Sequence, residues 1–161
     1  MVRFFSILLL VGLFSSAGSR CVFAQSAGSP LNREEKVVMA TILAEAKSEG
    51  FDGMRAVACV IKQRMIERKM GASDICLQKK QFSCWNDGTS VDSMFAKVTR
   101  NTSVQVTDFA SSLAKTLVSG KDLDRGLVKF ANHYCTVETN PYWAKGKTPV
   151  VVIGHHKFYK L

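Results

Sequence analysis

From Asn32 onward, apolar residues recur at helical spacing in three stretches and then give way to alternating, β-rich segments. Asn32 predicts an N-cap, with Glu35 three residues on in capping-box position. A helix should run from Arg33 to about Ser48 and end at Gly50. Val38, Ile42 and Glu45 share one of its faces, as do Thr41, Glu45 and Glu49 if the last turn holds. Asp52 can cap a second helix reaching about Lys69 and stopping at Gly71. Its apolar stripe is Met54, Val57, Ala58, Ile61 and Met65, with Lys62, Arg68 and Lys69 facing water and Glu67 free to pair with its basic neighbours. Residues 72–89 read as a loop. A third helix spans about Val104 to Val118, with Asp108 near its start, and ends at Gly120; Phe109, Leu113 and Leu117 form its buried side. Beyond Asp124, Leu127–Tyr134 and Val150–Tyr159 predict strands, separated by the turn formers Asn140-Pro141 and Gly146. Helices first and a small sheet after make an α+β class, without internal repeats or a second domain boundary.

The first residues follow a different logic. Arg3 precedes an apolar run from Phe4 to Phe14, and Val22-Phe23-Ala24 forms a small-residue cleavage site before Gln25, the layout of a secretory signal peptide over 1–24. The run is too short to cross a bilayer, and Arg20 directly before Cys21 argues against a lipoprotein. Residues 25–31 form a Ser/Gly/Pro spacer, leaving 32–161 as one domain. The expected product is exported to the periplasm, wall or exterior, with no membrane insertion after cleavage. Losing Arg3 and Arg20 with the leader lowers the formal charge from +9 to +7. A basic exported chain is drawn to anionic polymers, which outside the cytoplasm are wall polymers or membrane surfaces rather than nucleic acid; ordinary solubility charge remains the plain alternative.

Four cysteines remain: Cys59, Cys76, Cys84 and Cys135. In an oxidising compartment they allow up to two disulfides. Cys76 and Cys84 can staple a loop, while Cys59, mid-helix, can equally be a small buried apolar side chain.

Glu45 carries the chemistry. On a face shared with Val38 and Ile42 its carboxyl group is partly desolvated, and desolvation favours the protonated form. An acid that holds its proton near neutral pH can protonate a glycosidic oxygen. The plain alternative turns Glu45 outward to pair with Lys47 or Lys62. Glu49, one turn on, sits too close to straddle a sugar ring opposite Glu45, because i and i+4 side chains are only about 5–6 Å apart at Cβ. It therefore reads as a helper, a charge acting on Glu45, or a structural acid near Gly50. A lone acid points to a substrate that supplies its own nucleophile.

LAEAKSEGFDGMRAVACVIKQRM, starting at Leu43, resembles the first motif of the SleB/CwlJ cell-wall hydrolase family, in which a helix ending Glu-Ala-Arg-Gly-Glu leads into an Ala/Val-rich helix ending Asn-Arg. Here the matching stretches are Glu45 to Glu49 and Ala56 to Arg64. QFSCWN at 81–86 resembles the second motif, and NHYCTVETNPYWA at 132–144 and IGHHKFYKL at 153–161 resemble the C-terminal end. The resemblance implies a lysozyme-like helical core followed by a small antiparallel β subdomain, acting on peptidoglycan glycan strands as a monomer and without a cofactor or metal. It also implies lytic transglycosylase chemistry, with Glu45 matching the single essential acid; an amidase activity is the family's older label.

Gln81, Ser83 and Asn86 would bond N-acetyl or hydroxyl groups, or cap the loop. Phe82 and Trp85 would pack on a sugar face, or fill the core. His133 and Tyr134 line the same groove or are structural, and Tyr142 and Trp143 form a sugar platform or pin the turn. His-Tyr-His is common where this chain has His133-Tyr134-Cys135, so Cys135 replaces a substrate contact or joins a disulfide with Cys59 or another thiol. A zinc amidase would need three ligands from His133, Cys135, His155 and His156, of which the adjacent His155 and His156 face opposite ways in a strand. A Cys/His peptidase would need an activated thiolate, and a wall-binding module would leave Glu45 inert.

Overall fold

A computed structural model describes residues 29–161. The expected leader over 1–24, and the start of the spacer, lie outside the described residues. Among those described, five α-helices precede a three-stranded sheet: α1 (Arg33–Ala46), α2 (Gly50–Arg68), α3 (Ala72–Leu77), α4 (Val91–Thr99), α5 (Val104–Val118), β1 (His133–Thr136), β2 (Val151–Ile153) and β3 (His156–Tyr159). The sheet is antiparallel throughout, in the order β1-β3-β2. The architecture is the α+β arrangement that the pattern predicts. No helix of the described residues is long and apolar enough to cross a membrane.

The capping box forms as expected: Glu35 N donates to Asn32 Oδ1 and Asn32 N to Glu35 Oε2, both at 2.9 Å. α1 packs against α2, α3, α4 and α5, and every residue from Val37 to Leu43 is buried. The helix ends at Ala46, because residues 47–49 tighten into a 3-10 turn instead of completing the predicted last α-turn. α2 is enclosed on two sides. Met54, Val57, Ala58 and Ile61 join the helical core, while Ala56, Cys59 and Val60 pack with Val128, Ala131 and Phe158 beneath the sheet. α2 is thus the wall shared by the two halves of the molecule.

That enclosure corrects one expectation. Lys62 faces no water: it is 7% exposed, and its Nζ donates to the carbonyls of Gly120 (3.0 Å) and Lys121 (2.8 Å). These lie just past the C-terminus of α5, where carbonyls lack helical partners and attract a cation. Glu67 likewise takes amide hydrogens, from Gln63 and Asn132, rather than a basic partner.

Residues 72–89 contain α3 and a 3-10 turn at Ser83–Trp85, and α4 follows directly. α3 has six residues, too few to show a period, and α4 rests on a Ser90 cap and two buried side chains, Met94 and Val98. The predicted strand over Leu127–Tyr134 forms only at its end. Lys129 (φ 48°) and Phe130 (φ 60°) take left-handed backbone after a 3-10 turn, and β1 begins at His133. Val150–Tyr159 is a hairpin rather than one strand: Gly154 (φ 55°) turns the chain so that Ile153 faces His156 across the pair. His155 therefore sits in the turn.

All four described thiols are free, which replaces the expected disulfides. Cys59 Sγ lies 3.2 Å from Asp124 O under the sheet, while Cys135 is near Thr139 O in β1's neighbourhood. Burial pushes Cys59 up to about 11 and Cys76 and Cys84 up to about 12, so these three thiols stay protonated and unreactive.

Candidate functional site

α1 delivers Glu45 to the edge of the core. The preceding turn is fully buried, Ala44 is exposed, and Glu45 itself is half-buried. Its two carboxylate oxygens meet two other segments: Tyr134 Oη of β1 donates to Oε2 at 2.9 Å, and Ser83 Oγ lies 3.4 Å from Oε1. The 81–86 segment is pinned to α1 one turn earlier, where Trp85 Nε1 donates to Thr41 Oγ1 at 2.9 Å. Its entry is pinned by Arg68, whose Nη1 bonds the side-chain oxygens of Gln78 and Gln81. Three elements distant in sequence thus converge on one carboxyl group.

The cavity there has a volume of about 290 Å³ and is lined by Glu45, Arg64, Lys80, Gln81, Ser83, Asn86, Tyr134, Cys135, Thr136, Thr139 and His156. Among the described residues, Glu45 is the only carboxylate in its wall. A larger recess of about 470 Å³ runs along α5, lined mostly by serine and threonine hydroxyls. One of its two acids, Glu35, is already bound in the α1 cap.

Burial and the adjacent Glu45 charge push the Tyr134 hydroxyl well above its ordinary range. Tyr134 is therefore a permanent donor, and it occupies Oε2. Oε1 is the oxygen that faces Ser83.

The sequence-derived site residues divide into two groups. Gln81, Ser83, Asn86 and Tyr134 join Glu45 in the cavity wall, and Trp85 lines an adjoining recess with Asn86. The others lie elsewhere. Phe82 is 2% exposed in the core, with the Arg64 guanidinium 5.3 Å from its ring centre. His133 and Trp143 meet at 5.2 Å with their rings tilted by 50°, Trp143 meets Tyr159 edge-on at 5.4 Å, and Tyr142 is 89% exposed. Burial, with Arg64 and Arg68 nearby, pulls the His133 pKa down and keeps its ring neutral around neutral pH. Its Nδ1 lies 2.9 Å from Asn132 Oδ1.

Glu49 turns away from the cavity. Its Oε2 accepts the His155 backbone N–H at 2.8 Å and lies 3.2 Å from His155 Nδ1, with the side chain 9% exposed. Glu49 thus ties the β2–β3 turn to the junction of α1 and α2. The backbone hydrogen bond from His155 outweighs desolvation and holds this carboxyl below the ordinary glutamate range. A depressed acid contributes stability that is present above the unfolded-state pKa and lost as pH falls through the folded-state value. Melting curves between about pH 7 and about pH 3 should therefore fall less steeply for Glu49→Gln than for the wild type. Equal slopes would remove the clamp from acid stability.

Arg64, Lys80, Thr136, Thr139 and His156 also line the cavity, outside the set that the sequence singled out. Arg64 is 4% exposed; its Nε donates to Asn132 O at 2.7 Å, while Nη1 is buried without a hydrogen-bond partner. His156, 6% exposed, meets Tyr134 edge-on at 5.1 Å, and its Nδ1 is likewise unpartnered. For Arg64 a signal existed, since it occupies the Arg position of the helix-ending pair in the first motif. For the rest no local pattern marks the cavity. Among the described residues, no three His, Cys, Asp or Glu side chains converge as a metal site requires.

Comparison with characterised protein sequences gives no match. Among solved structures, the chain is similar to the catalytic domain of the germination-specific lytic transglycosylase SleB from Bacillus anthracis. The TM-score is 0.57 and the identity 18%, over 83% of this chain and 98% of that one. At that identity the likeness concerns the fold. The profile of a family described as Cell Wall Hydrolase matches residues 48–159, starting three residues after Glu45 and taking in the 81–86 segment and the whole sheet. Because that match covers well over half of its length, the chain belongs to the cell wall hydrolase family.

Proposed function

We propose that this protein is an exported peptidoglycan-cleaving enzyme that breaks the bond between N-acetylmuramic acid and N-acetylglucosamine as a lytic transglycosylase, with Glu45 as its single acid–base group. The observation that carries this reading is a cavity whose one carboxylate among the described residues is held on Oε2 by Tyr134 at 2.9 Å and met on Oε1 only by the longer 3.4 Å contact from Ser83. Two-carboxylate hydrolysis needs a second acid across the sugar, and the neighbouring Glu49 is committed to His155. The fold shared with the catalytic domain of a lytic transglycosylase supports the same reading. Export rests on Arg3, the Phe4–Phe14 run and the small-residue site ending at Ala24.

Glu45 Oε1 gives its proton to the glycosidic oxygen as the muramyl C1–O bond breaks, and the departing sugar leaves with a free hydroxyl. The carboxylate then takes the proton of the muramyl 6-hydroxyl as O6 bonds to C1. A 1,6-anhydro ring closes, no water is consumed, and Glu45 is protonated again. Gln81, Ser83 and Asn86, which share its cavity wall, would bond N-acetyl and hydroxyl groups.

Digestion of purified wall should yield fragments ending in anhydromuramic acid, read by mass spectrometry. Ends of plain reducing muramic acid would instead mean lysozyme-type hydrolysis. Freed stem peptides would mean an amidase, and binding without release would mean a wall-binding module.

A further inference from the structure

A second recess of about 440 Å³ adjoins the Glu45 cavity and shares Lys80 and Asn86 with it as common wall. Its remaining lining is Leu77, Gln78, Lys79 and Trp85. The chemistry differs from that of the catalytic cavity: two ammonium groups, no carboxylate, and the apolar surface of Leu77 (38% exposed) and Trp85. Among the described residues, neither lysine is paired with an acid.

The turn that carries the lysines is held in place. Gln81 N donates to Gln78 O at 3.1 Å, the Gln78 side chain is gripped by Arg68 and by Met70 Sδ, and Lys80 sits at φ 62°. A non-glycine residue in left-handed backbone persists where its surroundings over-determine it. The ammonium groups are therefore presented from a fixed base.

We infer that this recess binds the peptide branch of the substrate, the short peptide on the muramyl lactyl group, with Lys79 and Lys80 facing its carboxylates and Leu77 and Trp85 its methyl groups. This rests on the peptidoglycan reading above. A glycan backbone built from neutral sugar rings offers nothing to an unpaired ammonium pair, whereas the peptide branch is acidic and leaves the glycan at the muramic acid residue that Glu45 would attack. A third recess, sharing Ser83 with the cavity, sets Asp87 against Lys47 and Lys97 and so carries half the net positive charge.

Lys79 lines only the peptide recess, so Lys79→Gln separates the two sites. On peptide-bearing glycan strands it should raise KM about three-fold without changing kcat, the effect fading with salt. On strands stripped of peptide, with each freed lactyl carboxylate capped as its amide, it should change neither, and Lys79→Arg should restore wild-type KM on the peptide-bearing strands. A synthetic stem peptide alone should also shift the Trp85 indole resonance of the wild type, less so in Lys79→Gln. Equal losses on both strand types, or no peptide-induced shift in the wild type, would overturn the inference even where strand cleavage stands. Peptide binding without any strand cleavage would support it and remove the transglycosylase reading instead.

Discussion

Glu45→Gln releases soluble fragments from purified wall at least about 10³-fold more slowly than the wild type, and it keeps the wild-type melting temperature: that is the expected result. A positioned acid contributes about 10²–10⁴-fold; in the proposed mechanism one carboxyl group serves both steps, and among the described residues no other carboxylate in the cavity wall could substitute for it. The amide preserves size and still accepts from Tyr134 Oη, so the fold has no reason to change. What it cannot do is deliver a proton from Oε1 and take one back. Glu49→Gln is the control, because its effect should appear in acid stability and not as a dead enzyme. Near-wild-type release by Glu45→Gln would remove Glu45 from the chemistry.

Gly53→Ala tests the support beneath that carboxyl group. In a helix interior, alanine ordinarily stabilises by roughly 1 kcal/mol over glycine. At this position a Cβ would fall far inside contact with Glu49 Cβ, with Glu49 Cγ at 3.3 Å and Ala46 O at 3.8 Å. The atom struck first adjoins the backbone of the 3-10 turn, so a flexible side chain cannot simply swing aside. Overpacking of this kind costs about 1–3 kcal/mol, and displacing Glu49 also loosens its hold on His155. The net expectation is a loss of about 1–2 kcal/mol, seen as a fall in Tm of several degrees. Gly154 is the other half of this close approach: a Cβ there would strike Glu49 Oε2, and its φ of 55° already disfavours a side chain. A rise in Tm for Gly53→Ala would show that the turn yields freely and that Glu49 is not a clamp.

Local chemistry made part of this fold legible. The Asn32/Glu35 capping box and the period of Val38, Ile42 and Glu45 mark α1 and its face, and the apolar spacing of α2 and α5 is long enough to register above noise. α3 and α4 were not legible because they are short, and the residues that order them lie on α1. The strands are shorter than the pattern predicts, since left-handed backbone at Lys129, Phe130 and Gly154 divides stretches whose composition is β-rich throughout.

The amino-acid sequence by itself determined the order of helices before sheet, the start of α1, the end of α2, the span of α5 and the side of α1 on which an acid emerges. Those properties depend on neighbours within a turn or two, which the chain carries with it. Only the tertiary structure decided which polar groups meet. Tyr134 reaches Glu45 across 89 positions, Arg64 reaches Asn132 across 68, and Glu49 reaches His155 across 106. A residue's type restricts what it can bond but does not name a partner so far away. That choice is made when α2 is buried on both sides and the hairpin closes over it, which turns Glu49 into a clamp, sends Lys62 to the end of α5 and leaves Glu45 the one carboxylate among the described residues of its cavity.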